Sequence, residues 1–215
     1  MDETKIIERL VNRTPKILGE DTCQKYAIFL PLMKVNGETH ILFEERAHHL
    51  RRQPGEICFP GGKVDHNDRS EKAAAIRETI EELQIDARFI SDIFPLDYLA
   101  SPYDRTIYYL FAGKVTIPFE QIYPNRDEVA EVFTVPLSYF FDEKPACYPV
   151  KLIPKPAENF PYHLIPGGEN YKWRERSLDE LFYIYQNRVI WGLTAKIVHH
   201  FIELLESSAE NETIQ

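Results

Sequence analysis

The chain has few cysteines, little positive charge and no long apolar run, and each shortage excludes something. Its three cysteines, Cys23, Cys58 and Cys147, are scattered, odd in number and without CxxC spacing. That pattern excludes a disulfide framework and a thiolate zinc site, and reads as reduced thiols. Lys and Arg number 25 against 34 Asp and Glu, a formal net charge of -9. Such a surface lacks the basic character needed for nucleic acid or an anionic membrane, so neither is expected as a partner. Phosphate substrates stay open, because divalent metals bridge acids to phosphates. The apolar run YAIFLPLM is too short to span a bilayer. The charged N-terminus has no signal-peptide core, and the terminal ETIQ is not a peroxisomal address, so the cytoplasm is the expected location. Internal repeats and low-complexity segments are also missing.

What is present is enough for one sizeable core: 215 residues, 44% of them hydrophobic. Ile6, Ile7, Leu10 and Val11 fall at helical spacing and predict a helix over 2–13. Residues 26–33 and 40–43, separated by Val35-Asn36-Gly37, predict a hairpin. A second strand pair is expected over 87–99 and 106–116, with its turn at 101–104. A further strand follows over 128–135, and a short helix starts at Pro136-Leu137-Ser138. Residues 145–170 are rich in proline and read as a long excursion with short strands. Residues 189–206 carry helical periodicity and predict a closing helix. The expected organisation is one α/β domain over 1–207, with helices packed on a mixed sheet, and a polar, disordered tail over 208–215.

The stretch RETIEELQ, residues 77–84, concentrates acids. On a helix of about 100° per residue, Ala73, Ile76, Ile80 and Leu83 share one face. Glu78 and Glu82 lie opposite them, about 40° apart, with Glu71 between them and Ala74 and Ala75 alongside. A solvated face is the ordinary reading of such acids. Yet Glu78 and Glu82 are like charges at i,i+4, which destabilises a helix mildly. A hard divalent cation, Mg²⁺ or Mn²⁺, would turn that repulsion into chelation. Asp68-Arg69-Ser70-Glu71 fits a capping box with Asp68 as the N-cap, so Glu71 is equally a helix cap or a ligand. Upstream, Phe59-Pro60-Gly61-Gly62 allows a close backbone approach.

These residues resemble the Nudix hydrolase signature: Gly, five residues, Glu, seven residues, Arg-Glu, an apolar residue, any residue, Glu-Glu, any residue, Gly, an apolar residue. Gly62, Arg77-Glu78-Thr79-Ile80-Glu81-Glu82 and Ile85 occupy the recognisable places. Thr79 stands in an apolar slot, Gln84 replaces the second glycine at the helix end, and the first glutamate slot falls on Arg69. The spacing from Gly62 to Arg77 is one residue longer than the general pattern. That extra residue, together with Leu42, Arg46, Leu50, Arg51, Gly55, Phe59, Pro60, Gly61, Gly62 and Asp65, is similar to the coenzyme A pyrophosphatase branch. Phe43 and Gln53 depart from that branch, while residues 128–137 and 190–195 also match it. The resemblance covers about residues 26–200.

The resemblance implies a Nudix α/β/α sandwich around a mixed β-sheet. It implies hydrolysis of the coenzyme A diphosphate to 3',5'-ADP and 4'-phosphopantetheine with Mg²⁺ or Mn²⁺. Glu78 and Glu82 are the first expected metal ligands, Glu81 a further one, and a carbonyl of Gly61 or Gly62 completes the shell. Arg77 is expected to orient Glu81 at i,i+4. Glu128 is the candidate additional ligand or base, with Asp127 and Glu131 as rivals. Arg46 and Arg51 are candidates for forked bonds to substrate phosphates, and Arg52 a weaker one. The adjacent pairs His48-His49 and His199-His200 point apart and read as ordinary polar positions. Trp191 reads as a core aromatic. The alternatives are a Nudix hydrolase of ADP-ribose or another nucleoside diphosphate derivative, and a non-catalytic nucleotide-binding Nudix domain. The expected partner is a small-molecule substrate, and the assembly considered is a homodimer.

Overall fold

The protein is described by a computed structural model covering residues 2–101 and 103–213, with side chains through residue 208. Pro102, inside the expected turn at 101–104, lies outside the described residues, as do residues 214–215 of the expected tail.

The chain opens with α1 (Glu3–Leu10), whose N-cap Asp2 accepts the Lys5 amide. Strands β1 (Gln24–Val35) and β2 (Glu38–Arg46) form the expected hairpin. Its turn residues Asn36 and Gly37 sit at φ 51° and 87°, the left-handed pair that a tight hairpin requires. Short strands β3 (Ile57–Cys58) and β4 (Gly61–Lys63) lead to α2 (Glu71–Leu83). Then come β5 (Ile90–Ser101), β6 (Thr106–Val115), β7 (Val129–Pro136) and α3 (Leu137–Asp142). The last third holds β8 (Ala146–Leu152), β9 (Arg176–Tyr185), β10 (Arg188–Trp191) and α4 (Gly192–Thr213).

Seven strands make one mixed sheet in the order β3-β2-β1-β6-β5, with β4 on β1 and β7 on β2. The pairing of β1 with β6 is parallel and the others are antiparallel. Alternation along the strands sends side chains to two cores. On one face Leu30, Ile41 and Phe43 pack with Phe140 of α3 and Val198 and Phe201 of α4. On the other, Ala27, Phe29 and Leu42 pack with Ala74, Ala75 and Leu83 of α2. The sheet is therefore sandwiched between α2 and the α3–α4 pair, the α/β/α layering expected. Strands β8, β9 and β10 form a separate antiparallel sheet of three, which carries the chain into α4.

Several expectations are corrected. The closing helix begins at Gly192, not at 189, because Arg188–Trp191 pairs with β9 as a strand. Gly192 at φ 61° makes the break between the two. Helix α4 then runs on to Thr213, into the stretch expected to be a disordered tail. The first strand of the second pair starts at Ile90, since residues 87–89 form a single 3₁₀ turn.

The start of α2 is also different. Ser70, not Asp68, is the N-cap, its hydroxyl accepting the Ala73 amide at 3.1 Å. Asp68 is engaged by Arg77 through two bonds of 3.0 Å, which hold its carboxyl below the usual range. Glu71 becomes the first helical residue and pairs with Lys25 at 3.2 Å, so it neither closes a capping box nor joins the other acids. At the far end Gln84 takes the left-handed conformation, φ 52°, that the position demands.

Candidate active site

Helix α2 is rotated from the position its apolar residues suggest. It buries Ala74, Ala75, Thr79, Glu82 and Leu83, while Ala73, Ile76 and Ile80 are only partly buried. The small side chains of Ala74 and Ala75 let the helix lie close on β1 and β4. Thr79 fits inside because its hydroxyl donates to the Ala75 carbonyl at 2.7 Å. The consequence is that one glutamate of the acidic face is turned inward.

That glutamate is Glu82, only 6% exposed. Its Oε2 accepts the Gly61 amide at 2.8 Å. Burial, aided by the charges of Glu78 and Glu128, pushes its pKa up to about 8, against the lowering effect of the Gly61 N–H. Glu78, one turn earlier, is half-buried, and burial raises its pKa as well. Arg77 Nη1 lies 2.9 Å from Glu78 and 3.1 Å from Glu81, so one guanidinium spans both acids and Asp68. Glu81 itself is largely exposed.

The two glycines fit this arrangement for separate reasons. Gly61 sits at φ 154°, and a Cβ there would stand 2.5 Å from the Ala27 carbonyl oxygen of the neighbouring strand. A Cβ on Gly62 would stand 2.3 Å from the carboxyl carbon of Glu78. The Gly61-Gly62 strand is thus the surface on which both α2 carboxylates rest.

Glu128 approaches from the loop before β7. The Asn125 amide donates to the Glu82 carbonyl at 2.8 Å and the Ala47 amide to the Glu128 carbonyl at 2.8 Å, pinning this loop between α2 and β2. The Glu128 side chain is exposed, held at 3.3 Å by Asn125 Nδ2, and its charge is felt by Glu44, Glu78 and Glu82. Its rivals are placed elsewhere: Glu131 is ion-paired with Arg188, and Asp127 is exposed.

One acid in this neighbourhood escapes a reading of the sequence. Glu44 on β2 is 1% exposed, and neither of its carboxylate oxygens has a hydrogen-bond partner. Burial, then the charge of Glu82, raises its pKa well above the carboxylate range. In FEER the residue looks like the polar end of an exposed strand. Only the fold, which sets β3 beside it and brings Glu82 of α2 near, shows that the position is sealed.

A cavity of about 730 Å³ opens on the other side of the glycine strand. Its walls include Gly61 and Gly62, Arg46 and Arg52, Tyr26 and Tyr108, and Glu56, Glu180 and Trp191. Arg46 donates to the Arg52 carbonyl at 3.4 Å, and its Nε is buried without a partner. Arg51 is exposed and outside this lining, whereas Arg52 is part of it. Trp191, expected as a core aromatic, is instead 41% exposed at the cavity wall, stacked on Phe182 at an interplanar angle of 11°. A second, mostly apolar cleft of about 600 Å³ lies between the β1–β2 hairpin and residues 114–120, and it includes none of the α2 acids.

The histidines make separate main contacts, although His199 and His200 both also reach Glu203, at 3.7 Å and 3.9 Å. His48 faces Glu45, and His200 faces Asp97 at 2.8 Å, while His199 lies 3.4 Å from the Tyr183 hydroxyl. Among the described residues no group of three or more His, Cys, Asp or Glu is gathered tightly enough to hold a metal ion. Glu78 is drawn to Arg77 and Glu82 to Gly61. The donor set nonetheless fits a hard divalent cation: the acids are all carboxylates, and two buried oxygens of Glu44 have nothing to satisfy them.

A glycine strand beneath a glutamate-bearing helix on a mixed sheet agrees with the comparison to known families. Residues 26–149 match the NUDIX domain, and the chain belongs to the Nudix hydrolase family. Among its relatives is the peroxisomal coenzyme A diphosphatase NUDT7 of Mus musculus, 32% identical over 180 residues. That match covers 80% of this chain and 66% of the mouse protein, just under two thirds of its length. Nudix hydrolase 3 of Caenorhabditis elegans is 25% identical over 203 residues, covering 90% of this chain and 79% of the relative. A MutT/nudix family protein from Enterococcus faecalis, solved by crystallography, shares the fold at a TM-score of 0.50 and 13% identity, over 96% of this chain and 70% of that one. No helix among the described residues is long and apolar enough to cross a membrane.

Proposed function

We propose that this protein is a divalent-metal-dependent diphosphatase that hydrolyses coenzyme A, or its thioester or disulfide derivatives, to 3',5'-ADP and 4'-phosphopantetheine or the corresponding derivative. The observation that carries this reading is the Gly61-Gly62 strand. It lines the 730 Å³ cavity on one side and its Gly61 amide donates to Glu82 on the other, so a diphosphate bound in the cavity would be separated from the acids only by that strand. The mouse relative's activity and the match of residues 42–65 to the coenzyme A branch support the choice of substrate.

Glu78 and Glu82 would hold the cation, Mg²⁺ or Mn²⁺, with Glu81 and the Gly61 carbonyl as further oxygen donors. When bound, the metal neutralises diphosphate charge and makes water a better nucleophile. Arg77 positions Glu78 and Glu81, the two acids it already spans. Arg46 and Arg52 face the cavity and supply forked donors to substrate phosphates. Arg51, on the same loop, stands outside the lining and adds at most positive charge at longer range. Glu128, exposed and electrostatically close to the acids, accepts the proton of the attacking water.

A turnover panel of coenzyme A, acyl-coenzyme A, ADP-ribose and a dinucleotide, each with Mg²⁺ or Mn²⁺, tests the reading. The expected result is cleavage of the coenzyme A members. Consumption of ADP-ribose with coenzyme A intact would overturn the substrate, and no turnover of any compound would overturn the enzyme.

A further inference from the structure

Glu44 has no place in the scheme above, yet it is the acid for which the fold makes least provision. It is 1% exposed, and neither of its oxygens has a hydrogen-bond partner. A buried carboxyl without hydrogen bonds costs stability, and in its charged form it persists where it is paired or coordinates a metal.

The position of Glu44 says which. On β2 it shares a sheet face with Leu42, two residues away, and Leu42 packs with Ala74 and Ala75 of α2. That is the buried side of α2, the side that carries Glu82. Glu44 also pairs in register with Cys58 of β3, which leads through Phe59 and Pro60 directly to Gly61. Glu44 is therefore bounded by the helix that holds Glu82 and by the segment whose amide Glu82 accepts. Arg46, beyond an irregularity in the strand, is near enough for its charge to act on Glu44, but its hydrogen bond goes to the Arg52 carbonyl and it lines the cavity.

We infer that Glu44 is a further carboxylate ligand of the divalent cation, placed beneath Glu82 on the sheet side of the site. This rests on the metal-dependent reading above and adds to it a donor from the sheet, where the other acids come from α2 and a loop. A ligand rooted in the central sheet is less mobile than those on an exposed turn, so it would fix the depth at which the cation sits.

The test is Mn²⁺ binding to the metal-free protein, measured by calorimetry and by the electron paramagnetic resonance of the ion, without substrate. Wild type, Glu44→Gln, Glu44→Leu and Glu82→Gln are compared, with thermal unfolding in chelator for each. Glu44→Gln and Glu44→Leu are expected to melt at or above the wild-type temperature in chelator, since an unsatisfied acid is removed. Both are expected to bind Mn²⁺ roughly 10- to 100-fold more weakly, with a changed resonance spectrum. Wild-type Mn²⁺ affinity in Glu44→Leu, with affinity lost in Glu82→Gln, would overturn the inference. So would a large drop in the chelator melting temperature of both Glu44 variants, which would give the residue a structural partner. Failure of coenzyme A turnover alone would strike the proposed substrate and leave this result standing. A wild-type protein that binds no Mn²⁺ would overturn the ligand assignment together with the metal.

Discussion

The two sheets break the ordinary rule of burial in opposite directions. In the seven-stranded sheet and its covering helix, charge is inside: Glu44 and Glu82 are nearly sealed among apolar residues. In the three-stranded sheet, apolar surface is outside: Tyr148, Val150, Ile184, Val189 and Trp191 are all exposed. A buried acid costs stability, and in the function proposed above a bound cation would offset that cost. An exposed aromatic beside a cavity has the opposite meaning, since it is available to a ligand's flat or apolar part. In the proposed function the first sheet would carry the chemistry, and the second, which delivers Trp191 to the cavity wall, would carry contact area.

Perturbing each sheet in turn sharpens that contrast. The largest expected effect is on stability in the main sheet. Phe43 is fully buried and stacks on Phe59 and Phe133, so Phe43→Ala should cost about 3–5 kcal/mol in denaturant unfolding. The equivalent truncation in the small sheet, Tyr148→Ala, should cost less than about 1 kcal/mol, and an equal loss in both would erase the distinction. Next comes Glu82→Gln, for which kcat with coenzyme A should fall at least about 100-fold while the protein remains folded by circular dichroism. Gly62→Ala should lower kcat by about 10- to 100-fold, because its methyl group displaces the Glu78 carboxyl. Trp191→Ala should raise KM several-fold and leave kcat and stability nearly unchanged, a steady-state signature of lost contact area. The smallest effect is alkaline. Burial pushes the Tyr183 hydroxyl up to about 12, so the unfolded chain loses this proton at lower pH than the folded one. Stability should therefore fall as pH rises from about 10 to about 12, and Tyr183→Phe should flatten that slope in urea melts.

Much of this was legible in the sequence, and the rest was hidden for identifiable reasons. Asn36-Gly37 announces its hairpin because two left-handed residues in a row suit few other turns. The i,i+4 acids of α2 and the glycines before them are local patterns, and the structure keeps them local. Asp68 misled because Ser70 is also a good cap, and the choice between them was made by Arg77, nine residues away, which takes the Asp68 carboxylate for itself. Strand β10 was hidden because Val189, Ile190 and Trp191 run straight into the apolar residues of α4, with only Gly192 between them. Arg52 and Arg51 are neighbours whose order of importance depends on how their loop turns over the cavity. Glu44 was illegible for a deeper reason: the burial of a strand residue depends on what the fold brings against it, and Cys58 and Glu82 come from further along the chain.

The parallel pairing of β1 with β6 matches Gln24 to Thr106, a separation of 106 − 24 = 82 residues. Helix α2 lies wholly within the loop that this pairing closes. Long loops close slowly and their contacts form late, so the acids of α2 are expected to be still in water when the β1–β2 hairpin has already formed. During synthesis, the edge of β1 stays unpaired on that side until β6 has left the ribosome. The desolvation of Glu82 and Glu44 would then be among the last events of folding, at a time when cellular divalent ions can already reach them.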